Sequence, residues 1–308
     1  MPKLSKMKDK IIKLEKQVKK YRRLFVAALV LWVLFYLSGF VTGWWVVKGT
    51  LGSFPAVDAK TRLLVIAPHP DDETIMAGGL IQRVLAKDGR VRIIFLTSGD
   101  GSRGTVVQDT RKVDLNPAEF IALGEQRIQE AFKAVEILGI KRSETFFLGF
   151  PDQGLTKMGA SATTKVSYVP YPEAYQPSQV YSSANLLIDV GEIAKNFFPT
   201  VVITGHPRDQ HPDHRVAYAL IEKIRSSLPA DCKIYSSLVH YKGYPNPGGY
   251  LFPPKKLFGG DWLSLDLSAS EQTKNRQAIE VHVSQYSRPQ DKLLLNRFTS
   301  RNEIFEAE

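Results

Sequence analysis

The region from residue 62 to residue 241 alternates between short apolar runs and longer amphipathic segments, which limits the folds open to the chain. The apolar runs are nearly continuous, as is typical of strands buried on both faces of a sheet. They are RLLVIAP (62–68), VRIIFLTSG (91–99), ETFFLGF (144–150), TVVITG (200–205) and KIYSSLVHY (233–241). Segments with helical periodicity separate them, as expected for a parallel sheet covered by helices. We therefore predict an α/β fold with a doubly wound, mostly parallel, Rossmann-like sheet.

An uncharged stretch, Leu24–Val47, precedes this region. A helix rises 1.5 Å per residue, so about 20 residues cross an apolar bilayer core of about 30 Å. The alternative, a cleaved signal peptide, has a shorter apolar stretch and a small-residue cleavage site. Trp44 and Trp45 instead end the stretch as an interfacial aromatic belt would. The sequence thus predicts one transmembrane helix before the α/β domain.

The net charge of +10 is concentrated in the first 23 residues. Ten Lys or Arg side chains lie there against two acidic ones, whereas the remaining residues hold 31 basic and 29 acidic groups. A basic tail on a nearly neutral domain argues against nucleic acid as a partner. Basic flanks of a span stay in the cytoplasm, so we expect a single-pass protein with a cytoplasmic N-terminus and an extracytoplasmic catalytic domain.

Two patterns in the N-terminal region favour a homodimer formed through the anchor. A short heptad seam, typical of a coiled coil, contains Leu4, Met7, Ile11, Leu14, Val18 and Tyr21. Gly39 and Gly43 form a G-x-x-x-G motif that lets two membrane helices approach closely. The alternative is that the lysine-rich tail stays monomeric and lies on anionic lipid. The predicted organisation is a basic tail (1–23), the span (24–47), a linker (48–60) and one globular domain (61–308).

Reactive side chains follow the ends of the predicted strands, where ligands bind in parallel sheets. His69 and Asp72 follow the first strand, and His211 and His214 follow the fourth. Two imidazoles and one carboxylate can hold zinc with an open position for water. An isolated H-x-x-H is more often a pair of solvated histidines, but a second cluster at another strand end favours a metal.

The stretch PHPDDETIMAGGLI (68–81), together with HPDH (211–214), resembles the PIG-L/LmbE family of N-acetylglucosaminyl de-N-acetylases. Three further stretches, GEQRIQEAFKAVEILGI, FFLGFPDQGL and AIEVHVSQ, also resemble segments of that family. The resemblance extends from about residue 60 to residue 290. It implies a zinc-dependent deacetylase that acts on an N-acetylated sugar or glycan.

The resemblance also implies a role for each polar residue of the two motifs. The implied zinc ligands are His69, Asp72 and His214. Asp71 is the implied general base, which takes a proton from water and returns it to the departing nitrogen. His211, protonated and oriented by Asp213, is the implied stabiliser of the tetrahedral oxyanion. Zinc is the expected cofactor, although such a donor set also accepts other divalent metals.

Substrate contacts are predicted at three further positions that match the family: Arg103, Arg127 and His282. A tyrosine-rich insertion (152–181) can pack on sugar rings and is expected to form a substrate-facing rim with Tyr168, Tyr171, Tyr175 and Tyr181. Glu73 is interpreted as a first-turn carboxylate of the following helix or a support of the metal site. His206 and His240 are interpreted as structural residues.

Other functions are weighed against deacetylation. Hydrolysis of another amide at the same zinc site is one alternative, and a non-catalytic, membrane-bound glycan-binding protein is a second. Asp71 argues against the second, because binding alone needs no base. A glycosidase needs two carboxylates about 5–9.5 Å apart on different elements, which the adjacent Asp71 and Asp72 do not provide.

Overall fold

The computed structural model describes residues 2–112, 114–157, 167–246 and 249–308, with side chains in the N-terminal helix for residues 12–35. The α-helices are α1 (Pro2–Gly49), α2 (Asp72–Leu85), α3 (Arg103–Thr110), α4 (Pro117–Leu138), α5 (Ser183–Phe197), α6 (Pro212–Ile224), α7 (Ala269–Glu280), α8 (Val283–Tyr286) and α9 (Pro289–Phe298). The strands are β1 (Gly52–Ser53), β2 (Arg62–Ala67), β3 (Arg90–Thr97), β4 (Thr145–Phe150), β5 (Val201–Gly205), β6 (Lys233–Ser237), β7 (Trp262–Asp266) and β8 (Asn302–Ala307).

The chain divides into two compact units, Met1–Leu51 and Gly52–Glu308. The first unit contains the single helix α1, which includes the predicted basic tail and the predicted span. Across the described part of the chain, no helix meets the length and apolarity needed to cross a membrane. Part of the predicted span (24–47) lies outside the residues whose side chains are described. The whole G-x-x-x-G motif and half of the heptad seam also lie outside them.

The second unit is built on an eight-stranded sheet with the order β1-β7-β8-β6-β5-β2-β3-β4. Among the described strands, β8 alone runs antiparallel to its neighbours β6 and β7. The predicted α/β fold with a mostly parallel sheet is therefore confirmed. The sequence analysis did not predict β1, β7 and β8, which extend the sheet beyond β6.

Strand β2 lies at the centre of the sheet, between β3 and β5. Leu63 of β2 is paired with Val91 on one side and with Val201 on the other. The chain leaves β2 toward β3 and later returns on the opposite side to form β5, which makes this position a topological switch point. Ligands bind in the crevice at the carboxyl ends of such strands. The motifs that follow β2 and β5 thus meet at one place.

The predicted linker (48–60) belongs in part to the globular unit. Strand β1 pairs in parallel with β7, and the next residue, Phe54, is only 8% exposed. The Phe54 ring lies 4.9 Å from the ring centroids of both Tyr235 and Phe305. Burying such a ring stabilises the fold by about 1.5–3 kcal/mol, so Phe54 is part of the domain core. The globular unit accordingly begins at Gly52 rather than at residue 61.

Helix α2, which starts at the site, is kinked at Ala77, whose φ is −150°. Beyond the kink, the buried Glu303 of β8 accepts hydrogen bonds from the N–H groups of Gly79 (2.6 Å) and Leu80 (3.0 Å). A Cβ atom at Gly79 would lie 2.3 Å from a methyl carbon of Leu267. Glycine at this position therefore permits close packing and a buried carboxylate cap inside the helix.

Candidate active site

A cavity opens at the carboxyl ends of β2 and β5. Its walls include polar residues of both sequence motifs and Leu294 and Leu295 of α9. The motif residues in the wall are His69, Asp71, Asp72 and His211. The sheet topology therefore joins two motifs that are about 140 residues apart in the sequence.

Two buried histidine nitrogens lie close to one oxygen of the buried Asp72 carboxylate. Asp72 Oδ2 lies 3.1 Å from His69 Nδ1 and 3.3 Å from His214 Nε2. Ligand atoms about 2.0–2.1 Å from a tetrahedral ion are about 3.3 Å apart, so these separations fit a shared metal. Two overlapping sets of ligand atoms also lie within 4.8 Å of one another: His69, His211 and His214; and His69, Asp152, His211 and Asp213.

His214 provides the clearest sign of a missing partner. The residue is fully buried, yet neither ring nitrogen makes a hydrogen bond among the described residues. Buried polar atoms are nearly always paired, so a metal at Nε2 would complete this side chain. Asp209 Oδ2 lies 3.4 Å from the other nitrogen, and the N–H groups of Val239 and His240 donate to the same carboxylate oxygen. These donors thus fit a metal ion at His214 Nε2, with Asp209 supporting the other ring nitrogen. Asp209 was not predicted from the sequence.

The electrostatics of the cluster call for positive charge among its carboxylates. Burial opposes charge on His69, but Asp152, Asp213 and Asp72 outweigh it and raise the pKa of His69 well above its usual value. Burial likewise opposes charge on His214, whose pKa Asp72 and Asp209 nevertheless raise. A divalent cation would satisfy the same demand and would release these protons on binding.

Asp71 has an unusual backbone conformation, with φ 111°. A non-glycine residue at positive φ costs about 1–3 kcal/mol, and such strain is concentrated at functional sites. Asp71 occupies the N-cap position of α2, but its side chain does not cap the helix. Burial, opposed by the Arg127 charge and assisted by the Asp72 charge, raises the pKa of Asp71 to about 7. The carboxylate can therefore exchange a proton near neutral pH.

Arg127 is bound by the protein rather than extended toward the cavity opening. Its Nη1 donates to the Gly99 carbonyl (2.8 Å), while Nη2 donates to the Pro70 carbonyl (2.6 Å) and to Asp71 Oδ2 (3.1 Å). The side chain lines the cavity but is only 5% exposed. The sequence predicted a substrate contact here, whereas the geometry makes Arg127 a residue that holds Asp71 in place.

His211 occupies the N-cap of α6, where its Nδ1 accepts the N–H of Asp213 (3.3 Å). A neutral ring held in this way carries its proton on Nε2. Burial and the neighbouring His69 and His214 lower the pKa of His211 to about 3. Without a metal the His211 ring is therefore neutral near pH 7. Its protonation during the reaction stays a prediction.

The described residues show no hydrogen bond between the Asp213 carboxylate and the His211 ring, although ligand atoms of the two side chains lie within 4.8 Å of each other, so orientation of His211 by this carboxylate stays a prediction. Asp213 Oδ2 accepts the N–H of Gln153 (2.7 Å) and lies 3.4 Å from His69 Nε2. The backbone N–H of Asp213 does donate to the His211 ring, because Asp213 follows the N-cap by two residues.

Two of the other predicted substrate contacts lie outside the cavity wall. His282 is fully buried, with Nε2 3.4 Å from Glu73 Oε1. Arg103 begins α3 and is not among the described residues that line the cavity. Arg288 lines it instead, and its Nη1 contacts Ser102 Oγ (3.0 Å) and Asp291 Oδ2 (2.8 Å). The spacing of the motif GSRG (101–104) could not reveal this, because Arg288 lies some 185 residues further along the chain.

Some tyrosines of the insertion and one of the remaining histidines also lie in places other than those predicted. Tyr171 and Tyr181 are 0% and 4% exposed, so these two do not form a substrate-facing rim. His240 lines the cavity, with its ring centroid 5.3 Å from that of His211, so its structural interpretation was wrong. His206 is buried and paired with Glu306, in agreement with a structural role.

Asp152 is a site residue to which the sequence analysis assigned no role. Its Oδ1 lies 3.2 Å from His69 Nε2, and its Oδ2 accepts the N–H of Gly101 (2.9 Å). The available signal was its position in PDQG, immediately after the β4 strand. The same rule of strand ends that selected His69 applies to Asp152.

Comparison with known sequences identifies relatives of the chain. The sequence model described as GlcNAc-PI de-N-acetylase (PIG-L) matches residues 64–224. The 1D-myo-inositol 2-acetamido-2-deoxy-alpha-D-glucopyranoside deacetylase of Gordonia bronchialis is 31% identical over 193 residues, which cover 58% of this chain and 63% of that protein. The chain thus spans less than two thirds of the length of this curated relative.

Comparison with solved structures identifies the same fold. The zinc-inhibited form of teicoplanin deacetylase Orf2 gives a TM-score of 0.54 at 18% identity, covering 80% of this chain and 97% of that one. GalB, the 4-carboxy-2-hydroxymuconate hydratase of Pseudomonas putida KT2440, gives a TM-score of 0.51 at 18% identity, covering 78% and 83%. Because a deacetylase and a hydratase share this fold, the fold alone does not choose the reaction.

Proposed function

Because the chain belongs to the GlcNAc-PI de-N-acetylase (PIG-L) family, we propose that it is a zinc-dependent hydrolase that removes the N-acetyl group from an N-acetylglucosamine-type sugar. The sugar would belong to a glycolipid, a glycan or a cell-envelope polysaccharide. The observation that carries the proposal is the Asp71 carboxylate, which faces the cavity beside the His69, Asp72 and His214 donors.

The metal would be held by His69 Nδ1, Asp72 Oδ2 and His214 Nε2, whose spacing supports a single shared ion. When bound, zinc would polarise the acetyl oxygen and lower the pKa of water to about 7. Two imidazoles and a carboxylate are donors typical of catalytic zinc, although other divalent metals also accept them.

Asp71 would move the proton. Its carboxylate takes a proton from the attacking water and gives it to the nitrogen that leaves as the free amine. Arg127 holds the carboxylate in its strained position, and the pKa of about 7 allows both proton uptake and release. The same group therefore acts first as base and then as acid.

His211 would stabilise the negative charge that develops on the acetyl oxygen. Its Nε2–H is available because the N-cap hydrogen bond occupies Nδ1. A preorganised donor of this kind accelerates acyl transfer by about 10²–10³-fold. No protonation of the ring is required for this role.

The test is acetate release by the full chain, loaded with zinc in detergent, from a panel of acetylated sugars. The panel contains the 1D-myo-inositol glycoside of N-acetylglucosamine, an N-acetylglucosaminyl phospholipid and cell-wall oligosaccharides. We expect release from at least one, and release from that substrate about 10²–10⁴-fold slower in Asp71→Asn. Release from simple amides alone would favour the alternative amide hydrolase, and binding of glycans without release would favour the glycan-binding alternative.

We further propose that α1 anchors the domain to a membrane as a single span, with the N-terminus cytoplasmic and the catalytic domain outside. The uncharged stretch 24–47 and the basic residues before it support this proposal. A protease added to intact cells should then digest the catalytic domain. A domain that resists the protease until the cells are lysed would contradict this orientation. Crosslinking of full-length chains would test the proposed homodimer.

A further inference from the structure

The two ring nitrogens of His69 face different carboxylates. Nδ1 lies 3.1 Å from Asp72, the other donor of the proposed metal site, and Nε2 lies 3.2 Å from Asp152 Oδ1. A metal-binding histidine usually donates its second N–H to a carboxylate, which fixes the tautomer and the ring orientation. Asp213 Oδ2 forms a hydrogen bond with the same nitrogen at 3.4 Å. Asp152 Oδ1 lies closer to it, is buried and makes no other hydrogen bond with the described residues, so both carboxylates stand at the position of that partner.

Asp152 is itself held by hydrogen bonds at two points. Its carboxylate accepts the N–H of Gly101 (2.9 Å), and its backbone N–H donates to Asp100 Oδ1 (3.1 Å). A Cβ atom at Gly101 would lie 2.8 Å from the carboxylate carbon of Asp152. Glycine at position 101 therefore gives the carboxylate access to the backbone.

The second oxygen of Asp100 accepts the hydroxyl of Tyr171 at 2.8 Å. Both residues are fully buried. A Cβ atom at Gly124 of α4 would lie 2.2 Å from the Tyr171 hydroxyl oxygen, and one at Gly149 of β4 would lie 2.9 Å from the ring. The glycines of α4 and β4 thus leave the space that the Tyr171 side chain occupies, and this allows its hydroxyl to reach Asp100.

We infer that Tyr171 and Asp100 are positioning residues for the metal site: they hold Asp152, and Asp152 holds His69 with Nδ1 directed at the metal. The inference rests on the metal site of the proposed function. It gives the start of the 152–181 insertion a role at the metal rather than at the substrate. Loss of the Tyr171 hydroxyl leaves a buried oxygen of Asp100 unpaired and loosens the link to His69.

The test measures zinc affinity of the full chain in detergent by competition with a chromophoric chelator. Removal of a carboxylate that supports a metal ligand weakens binding about 10–100-fold, which we expect for Asp152→Asn. Tyr171→Phe acts one link further away, and we expect weakening of about 3–10-fold, below that range. The matched control is Tyr181→Phe, which removes another buried tyrosine hydroxyl of the same insertion, one that donates to the Gly149 carbonyl. Its zinc affinity should equal that of the wild type.

Thermal unfolding of the metal-free variants separates positioning from general stability. If both tyrosine variants unfold at similar temperatures and only Tyr171→Phe binds zinc more weakly, the positioning role is supported. Equal zinc affinity of folded Tyr171→Phe and wild type overturns it. Should Tyr171→Phe not fold, Asp100→Ala replaces it, because alanine removes both acceptors of this chain of hydrogen bonds, and unchanged zinc affinity of the folded variant is equally decisive. A wild-type chain that binds no zinc would instead overturn the metal site of the proposed function.

Discussion

At the scale of single residues, the adjacent acidic side chains of the first motif have separate environments. Asp72 lies between two imidazoles, which lower its pKa although burial opposes them, and this is suited to a ligand that stays ionised. Asp71 faces Arg127 at strained backbone angles and has a pKa of about 7. Glu73 is buried and accepts the N–H of Asp71 and the hydroxyl of Thr74. The three neighbouring environments thus suit the proposed roles of Asp72 as a metal ligand and Asp71 as a base, while Glu73 supports the local backbone.

Replacement of the base is the sharpest test at this scale. Asp71→Asn should keep zinc affinity and lose about 10²–10⁴-fold in turnover, because the amide cannot take up a proton. In the wild type, kcat/KM should rise with pH as Asp71 ionises. The midpoint of this rise should lie at or below about pH 7, because a bound cation favours the ionised carboxylate. A limb well above pH 7, or an unchanged rate in Asp71→Asn, would contradict the assignment.

The proposed donor can be separated from the helix cap. His211→Asn keeps a residue that caps helices well but removes the Nε2–H. We expect kcat to fall about 10²–10³-fold while zinc affinity and the unfolding temperature stay close to those of the wild type. His211→Ala should additionally lose about 1 kcal/mol of stability with the cap. Full activity of His211→Asn would exclude an oxyanion role.

At the scale of elements, helix α2 connects the site to the far side of the sheet. Its first turn carries the metal and base motif, and its kink at Ala77 places the N–H groups of Gly79 and Leu80 on Glu303. Glu303 belongs to β8, the antiparallel strand that the sequence analysis did not predict. The C-terminal strand therefore supports the helix that carries the catalytic carboxylate.

This support should depend on pH. Burial, partly offset by hydrogen bonds from Gly79 and Leu80, raises the pKa of Glu303 from 4.5 to about 7. The folded state thus retains a proton that the unfolded chain releases, so the stabilisation present below about pH 4.5 is lost as the pH rises through 7. The unfolding free energy of the wild type relative to Glu303→Gln should fall over this interval by about 3 kcal/mol. Urea unfolding at pH 4.5 and pH 7.5 measures this difference, and equal values at both would contradict it.

At the scale of the whole molecule, the globular unit collects its polar groups at one switch point. Residues that follow β2, β4 and β5 line the cavity at the proposed metal position, and residues of α9 also line it. Three fully or nearly fully buried carboxylates, Asp72, Asp152 and Asp213, lie within this small volume. Such crowding costs folding free energy unless cations or protons compensate it.

Metal binding should therefore stabilise the folded domain. Zinc at 100 times its dissociation constant adds about 2.7 kcal/mol to the free energy of unfolding. We expect a chelator to lower the unfolding temperature and zinc to restore it, with proton release on binding. Asp72→Asn is the control, since it should show no response to either reagent. If neither the chelator nor zinc changes the unfolding temperature of the wild type, the result would argue against a metal site in this fold.

Much of the domain and part of the site could be predicted because their signals are local. Buried strands are read from short apolar runs, and His69, Asp72, His211 and His214 follow strand ends, which a parallel sheet brings to one edge. The same reasoning missed Asp209 and Arg288, and it placed Tyr171 at a rim. Arg288 and Tyr171 contact partners from distant parts of the chain, Ser102 and Asp100. Asp209 is near His214 in sequence, but the N–H groups that hold its carboxylate come from Val239 and His240.

The sequence by itself determined the α/β class, the order of the strands from β2 to β6 and the residue types available for metal and proton chemistry, because periodicity and spacing act over a few residues. Only the tertiary structure decided which side chains touch. Arg127 turned inward because the Pro70 and Gly99 carbonyls and Asp71 converge on it, and Asp152 reached His69 because Gly101 leaves it room. Such contacts depend on the path of the whole chain, and that path becomes defined only when the sheet assembles.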